Sequence, residues 1–145
     1  MNLTFREAQG KDKDLIRSLL QQTKLPVESL DANTTTFFVG EENGKVAGIA
    51  GYEFYGSDAL LRSVAVPPEM QNGGVGGKIV DFMISTARSR KINRVVLLTE
   101  TAQKFFERKG FAVVERSAID NAAMKQSSEF TVACPKSALC MVLNL

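Results

Sequence analysis

The sequence contains no histidine among its 145 residues. This absence excludes serine-histidine-aspartate and cysteine-histidine mechanisms and any metal site built on imidazole. A general base must therefore be a carboxylate, a thiolate, a lysine, a tyrosine or a water held by backbone groups. Only two cysteines occur, Cys134 and Cys140. Two thiols are too few for a zinc site by themselves, and a chain of this length does not need a disulfide.

Other features are missing as well. No apolar run approaches the ~20 residues that span a bilayer, and the N-terminus lacks the basic start and apolar run of a signal peptide. The formal net charge is only +2, which does not indicate nucleic-acid binding. With 44% hydrophobic and 23% charged residues, the composition is that of a globular protein. We therefore expect one cytoplasmic domain over residues 1–145, with no membrane or nucleic-acid partner.

The hydrophobic pattern alternates between strand and helix periodicity. Strands are predicted at Leu3–Glu7, Thr35–Glu41, Lys45–Phe54, Ala59–Val66, Arg94–Thr99, Phe111–Glu115 and Leu139–Leu143. Helices are predicted from about Asp12 to Gln22, from about Gly74 to Arg90, and from Ala102 to a C-cap at Gly110. The Asn43-Gly44 pair indicates a hairpin turn. Residues 117–136 are ambiguous, with a short helix and a loop as one interpretation. The fold class is therefore α+β, with an antiparallel meander followed by a strand–helix–strand crossover.

One segment points to chemistry. A strand ending at Val66 leads into Gln71-Asn72-Gly73-Gly74-Val75-Gly76-Gly77-Lys78, which opens an amphipathic helix. Glycines let the backbone approach a ligand closely, and the free N–H groups of a helix start favour an anion, best a phosphate. The spacing fits neither the dinucleotide fingerprint nor the P-loop. The alternative is a glycine-rich turn that serves only as a helix entry.

The segment resembles a known family. Gln71-Asn72-Gly73-Gly74-Val75-Gly76 fits the Q/R-x-x-G-x-G/A motif of the GCN5-related N-acetyltransferases, the GNAT family, and Ala102 to Phe111 resembles the family's later A-x-x-x-Y-x-x-x-G-F stretch. The resemblance implies a mixed, mostly antiparallel sheet with splayed strands at a cofactor cleft. It also implies acetyl-CoA as co-substrate, without a metal. The residues implied in CoA binding are Val64, Val66, Gln71, Asn72, Gly73, Gly74, Val75, Gly76, Gly77, Lys78, Thr99 and Phe106.

The chain departs from the family pattern at two of these positions. Phe106 stands where many relatives have a tyrosine that protonates the departing thiolate, and Phe106 cannot donate a proton. Thr99 stands where the family often has an asparagine, and its hydroxyl can still bond the pantetheine arm. The thiolate then leaves unassisted, which its pKa near ~8.5 permits, or water or another group protonates it.

Two residues are candidates for the catalytic step. A carboxylate at Glu53 can accept a proton through water, the alternative being a solvated strand carboxylate. The planar fork of Arg62 can hold a substrate carboxylate, the alternative being a surface salt bridge. Tyr52 and Tyr55 either line the acceptor pocket or pack. Lys104 and Arg108 either reach the 3′-phosphate of CoA or lie on a solvated helix face.

The segment from Cys134 to Met141, with Leu97 to Ala102 and Phe105-Phe106, resembles the arsenic-resistance N-acetyltransferases and the N-acetylglutamate synthases. Paired thiolates bind soft ions, but the preferred interpretation is that the two cysteines are small buried residues near a final strand. The resemblance implies transfer of an acetyl group to a primary amine of a small molecule, for example an amino acid or a carboxylate-bearing analogue. The alternative is a non-catalytic acyl-CoA-binding module. Family members are often dimers, so a homodimer is a further expectation.

Overall fold

A computed structural model of the chain describes residues 2–133 and 137–145. The strands are β1 (Leu3–Glu7), β2 (Thr36–Glu42), β3 (Lys45–Tyr55), β4 (Asp58–Ala65), β5 (Arg94–Thr99), β6 (Ala112–Val114) and β7 (Leu139–Asn144). The α-helices are α1 (Lys13–Gln22), α2 (Glu28–Asp31), α3 (Val75–Ser89), α4 (Gln103–Arg108) and α5 (Ala122–Lys125). Short 3₁₀ turns occupy Gly10–Asp12, Pro68–Met70 and Arg116–Ala118, and a π-helical turn occupies Glu129–Ala133.

The seven strands are hydrogen-bonded in the order β1-β2-β3-β4-β5-β7-β6. The β1–β2, β2–β3, β5–β7 and β6–β7 pairs are antiparallel, and β4 pairs with β5 in parallel. The parallel pair is joined through α3, as the crossover pattern predicted. The fold is thus a mixed, mostly antiparallel sheet flanked by helices, which confirms the predicted fold class. Among the described residues, no helix is long and apolar enough to cross a membrane.

The chain forms two compact units, and β3, β4 and α3 contribute residues to both. The first comprises Met1–Glu53 and Ser63–Met83, and the second comprises Phe54–Arg62 and Ile84–Leu145. The core of the first unit consists of apolar side chains that α1, α2 and the first strands bury together. Its members are Ile16, Leu19, Leu20, Leu30, Phe37, Val39, Ile49 and Ala65.

A pair of glycines in the first unit lets α3 approach the sheet closely. Gly40 on β2 lies opposite Gly48 on β3. A Cβ atom on Gly48 would collide with Cδ1 of Ile79, and one on Gly40 would lie 3.7 Å from Cγ1 of the same side chain. Ile79 belongs to the second turn of α3, so the missing side chains leave the notch that seats the start of this helix. The stacked rings of Phe5 and Phe82, 4.7 Å apart, close the same surface.

The second unit has its own core around β5 and β7. Its buried residues are Leu60, Val96, Leu98, Ile119, Met124, Ala138, Cys140 and Val142. At the start of β5, Arg94 donates to both oxygens of Asp58 at 3.1 and 2.7 Å. Asn121 caps α5 by accepting from the Met124 N–H at 3.1 Å and also donates to Asp58 at 3.1 Å. These bonds attach α5 to the beginning of β4.

Most predicted elements are confirmed. The bounds of β1 and β5 are those predicted, and the turn at Asn43-Gly44 has φ of 53° and 78°, as a type I′ hairpin requires. Gly110 follows α4 with φ of 99°, which confirms the predicted C-cap. Helix α3 begins at Val75, one residue after the predicted start at Gly74. The ambiguous region contains α5 and the π-helical turn, which no periodicity had indicated.

Candidate active site

Two hydrogen bonds stabilise the turn that follows β4. Pro67 accepts from the Met70 N–H at 2.9 Å, which closes the 3₁₀ turn over Pro68–Met70. The side chain of Gln71 then reaches back and donates from Nε2 to the carbonyl oxygen of Val66 at 3.0 Å. Gln71, the first residue of the predicted motif, therefore holds the end of the strand against the beginning of the glycine loop.

The loop itself has the backbone conformation that its composition predicts. Asn72 has φ of 68° and Gly74 has φ of 82°, values in the left-handed region that asparagine and glycine adopt most readily. Residues Gln71, Asn72, Gly73 and Gly74 are all exposed. A Cβ atom on Gly74 would have no heavy atom within 4 Å, and one on Gly76 would meet only Cγ2 of Val66, at 3.9 Å. Open space of this kind above a bare backbone fits a bulky anion such as a pyrophosphate.

The N–H groups at the start of α3 complete this surface. The Lys78 N–H donates to the Gly74 carbonyl at 3.2 Å, so the Lys78 amide is engaged inside the helix. The amides of Val75, Gly76 and Gly77 precede that bond, and a helix offers such groups no acceptor of its own. Together with the helix macrodipole, they favour negative charge at this end of α3. Lys78 keeps an exposed side chain that adds positive charge.

The end of β4 is irregular. Ser63 has φ of 59° within the strand, a conformation typical of a β-bulge rather than of a regular ladder. The ladder between β4 and β5 pairs Asp58, Ala59 and Leu60 with Arg94, Val95 and Val96. Beyond Ser63, Val64 and Val66 are half-buried, and Ala65 between them is buried. The role of Val64 and Val66 toward a pantetheine arm stays a prediction.

Glu53 is buried rather than solvated. Its residue is only 3% exposed, so the alternative of a solvated strand carboxylate is wrong. Burial continues without interruption from Ala47 to Glu53 in β3, a pattern expected of a strand covered on both faces. The hydroxyl of Thr35 donates to Oε2 of Glu53 at 3.1 Å. A buried carboxylate held by a hydroxyl is a chemically plausible proton acceptor, and sequence reasoning missed Thr35.

Arg62 is also buried, at 3% exposed, so a surface salt bridge is excluded. Its Nη1 donates to the hydroxyl oxygen of Ser128 at 3.1 Å, and its Nη2 lies 3.4 Å from Oε1 of Glu129. No sequence signal indicated Ser128 or Glu129, because both lie 66 or more residues away in the ambiguous region.

Thr99 and Phe106 both belong to the second unit. The Thr99 hydroxyl accepts from the Ala102 N–H at 3.1 Å, so its oxygen organises the turn before α4. Its side chain remains half-buried. Phe106 is buried between two other rings, with Phe105 at 5.0 Å and Phe111 at 5.5 Å in edge-to-face geometry. The residue that replaces the family's tyrosine therefore packs as an aromatic core residue, and its role toward CoA stays a prediction.

The remaining candidates include both buried and exposed side chains. Tyr52 is fully buried and donates from its hydroxyl to the Met83 carbonyl at 2.8 Å, and burial raises the pKa of this phenol. Cys140 is buried in β7, and desolvation raises the pKa of its thiol, while Cys134 lies outside the described residues. Lys104 and Arg108 are exposed on α4. Within residues 2–133 and 137–145, no group of three or more acidic or cysteine side chains could hold a metal.

Fold and loop together define the class of protein. A mixed sheet with a β4–α3–β5 crossover presents an exposed glycine loop at the start of its long helix, the arrangement that the sequence resemblance implied. Residues 33–113, more than half of the chain, match the acetyltransferase (GNAT) domain family. The chain therefore belongs to the GNAT acetyltransferases.

Individual relatives agree with this assignment. An amino-acid acetyltransferase of Vibrio atlanticus is 29% identical over 118 residues, which are 78% of this chain but only 26% of that protein. The chain thus spans about a quarter of this relative. The solved structure of Rv2747 from Mycobacterium tuberculosis in complex with CoA and NLQ is 28% identical and has a TM-score of 0.80. The alignment covers 98% of this chain and 99% of that chain. N-acetylglutamate synthase from Neisseria gonorrhoeae, complexed with coenzyme A and N-acetyl-glutamate, has the same fold, with a TM-score of 0.83 at 20% identity. All of this chain aligns with 35% of that structure.

Proposed function

We propose that this protein transfers the acetyl group of acetyl-CoA to the primary amine of a small molecule. The observation that carries the proposal is the exposed glycine loop before α3, with open space above Gly74 and Gly76, in a chain of the GNAT family. In the reaction, the amine nitrogen attacks the thioester carbonyl carbon. The N–C bond forms, the C–S bond breaks, and the CoA thiolate leaves.

Backbone groups supply most of the assistance in this proposal. The amides of Val75, Gly76 and Gly77 bind the pyrophosphate, and the backbone at Val64 and Val66 aligns the pantetheine arm. Fixing the thioester beside the amine removes much of the entropic barrier. Phe106 donates no proton, so the thiolate leaves unassisted and is protonated by solvent, which its pKa near ~8.5 allows.

Glu53 is the proposed proton acceptor. An amine that attacks a thioester must first lose the proton of its ammonium form and then a second proton after the N–C bond has formed. A buried carboxylate can receive the first proton through a water molecule, and the second proton passes to solvent, which also protonates the departing thiolate. The Thr35 hydroxyl donates a hydrogen bond to this carboxylate and so orients it.

The proposed acceptor is an amino acid or a similar molecule with a carboxylate. The Vibrio relative is named an amino-acid acetyltransferase, and the Neisseria structure contains N-acetyl-glutamate. On this chain, Arg62 supplies a buried guanidinium, and its planar fork can bind a carboxylate bidentately. A substrate carboxylate would share this guanidinium with Ser128 and Glu129.

Release of free thiol from acetyl-CoA tests the proposal directly. The protein is mixed with acetyl-CoA and a panel of amino acids, each paired with its carboxamide. Amine-dependent thiol release that is faster for the carboxylate member of each pair supports the proposed acceptor. CoA binding without amine-dependent thiol release would instead favour the non-catalytic acyl-CoA-binding module, a role that the missing tyrosine at Phe106 keeps open.

Arg62→Lys tests the carboxylate clamp without removing its charge. Loss of the planar fork should raise the acceptor KM for amino acids, leave it unchanged for carboxamides, and leave CoA affinity unchanged. Arg94→Lys is the matched control, because the Arg94 guanidinium also donates to a carboxylate, through two hydrogen bonds to Asp58. An equal rise in KM for amino acids and carboxamides would contradict the clamp.

A further inference from the structure

The pair formed by Thr35 and Glu53 is unusually well enclosed for a hydroxyl and a carboxylate. Thr35 is 8% exposed and Glu53 is 3% exposed, and Oγ1 of Thr35 donates to Oε2 of Glu53 at 3.1 Å. The antiparallel register of β2 and β3 ends at the pair of Thr36 with Tyr52, and Thr35 immediately precedes β2. The bond therefore joins the residue before β2 to Glu53 near the end of β3.

Thr35 also borders space that solvent can occupy. It lines a cavity of about 250 Å³ between the end of β1, the start of α1, α2 and the start of β2, which is enough room for more than one water molecule. Glu53 is not among the lining residues. The charged residues that line this cavity are Glu7 on β1 and Lys13 on α1, and both are exposed. Thr35 is thus the polar side chain between the buried carboxylate and this cavity.

We propose that Thr35 is a positioning residue for Glu53, an inference that rests on the proposed function. Its hydroxyl fixes the orientation of the carboxylate that accepts the proton of the acceptor amine. A hydrogen bond to a charged group is stronger than a neutral one. Removing the hydroxyl therefore leaves the carboxylate less well oriented.

Thr35→Val removes the hydroxyl and keeps the shape of the side chain. We expect kcat to fall about tenfold, with KM for acetyl-CoA and for the acceptor unchanged. A fall in kcat without a change in either KM separates a positioning role from a loss of binding. Thr35→Ser should restore kcat, because it restores the hydroxyl.

Thr36→Val is the matched control, since Thr36 lines the same cavity and is the next residue in the chain. It should leave kcat and both KM values unchanged. Thermal unfolding of each variant measures the structural effect, and if Thr35→Val does not fold, Thr35→Ala is tested by the same kinetic measurements. A wild-type kcat in the folded variant, or a Thr35→Ser enzyme as slow as Thr35→Val, would overturn the positioning role.

Glu53→Gln separates this inference from the proposed function. If Glu53→Gln is inactive while Thr35→Val behaves as the wild type, Thr35 has no positioning role and Glu53 can still be the base. If Glu53→Gln is fully active, the proposed base is wrong, and the inference about Thr35 is overturned with it.

Discussion

Replacing Gly48 by alanine tests how the glycine loop is held in place. Gly48 lies on β3 beneath the start of α3, and its added Cβ would collide with Cδ1 of Ile79, lie 3.1 Å from the carbonyl oxygen of Ala65 and lie 3.5 Å from Cγ2 of Val66. The Ile79 terminus can rotate, but it is 2% exposed and has little free space. The Ala65 carbonyl can yield only if the end of β4 moves.

The expected cost follows from these contacts. Forcing an extra carbon into a packed core costs about 1–3 kcal/mol, and alanine recovers about 0.5 kcal/mol by restricting the unfolded chain. Gly48→Ala should therefore lower the free energy of unfolding by about 0.5–2.5 kcal/mol. Because Val66 and Ile79 flank the loop, CoA affinity should fall as well.

Urea unfolding and calorimetric titration with CoA measure the two effects. Gly10→Ala is the matched control, because a Cβ atom there has no heavy atom within 4 Å, and its stability should stay within about 0.5 kcal/mol of the wild type. A Gly48→Ala protein that is as stable as the wild type and binds CoA equally well would refute the packing of α3 into the glycine notch.

Two further predictions concern stability in the first unit. Hydrogen bonds from Arg6 at 2.7 and 2.8 Å lower the pKa of Asp12 to about 2 from 3.8. The resulting stabilisation, about 1–2 kcal/mol after solvent screening, should be complete above pH ~5 and lost as the pH falls toward 2. In Asp12→Asn, the urea midpoint should depend less on pH over this range. A pH dependence equal to that of the wild type would argue against the Arg6–Asp12 pair. Tyr52→Phe removes the hydrogen bond to the Met83 carbonyl. The free energy of unfolding measured in urea should fall by about 1–2 kcal/mol, and unchanged stability would contradict the stabilising role of this bond.

Local signals predicted the elements that have them. The Asn43-Gly44 turn was evident because both residues adopt positive φ readily, and β1 and β5 had clear strand patterns. The glycine loop was predictable because its conformation depends on its own residues. Helix α5 was not, since a four-residue helix has no periodicity and is held by Asn121, which bonds to the Tyr55 carbonyl and Asp58.

The environment of the catalytic candidates was less accessible from the sequence. The sequence allowed Glu53 to be interpreted as a solvated strand carboxylate, because a strand that alternates apolar and polar residues has one face exposed to solvent. In the structure, β3 is buried on both faces over its centre. The contacts of Arg62 come from Ser128 and Glu129, far along the chain, in a region without a readable pattern. Side chains of this kind depend on tertiary packing, which spacing alone does not encode.

The most direct test of the central claim is calorimetric titration of CoA into Gly76→Asp, with Gly10→Asp as the matched control. A Cβ at Gly76 meets only Val66, at 3.9 Å, and an acidic residue in the first turn of a helix favours the helix, so the variant should fold normally. The account predicts that CoA binding is lost in Gly76→Asp and retained in Gly10→Asp. Equal CoA affinity in wild-type and Gly76→Asp protein would contradict the claim that the amides at the start of α3 bind the pyrophosphate.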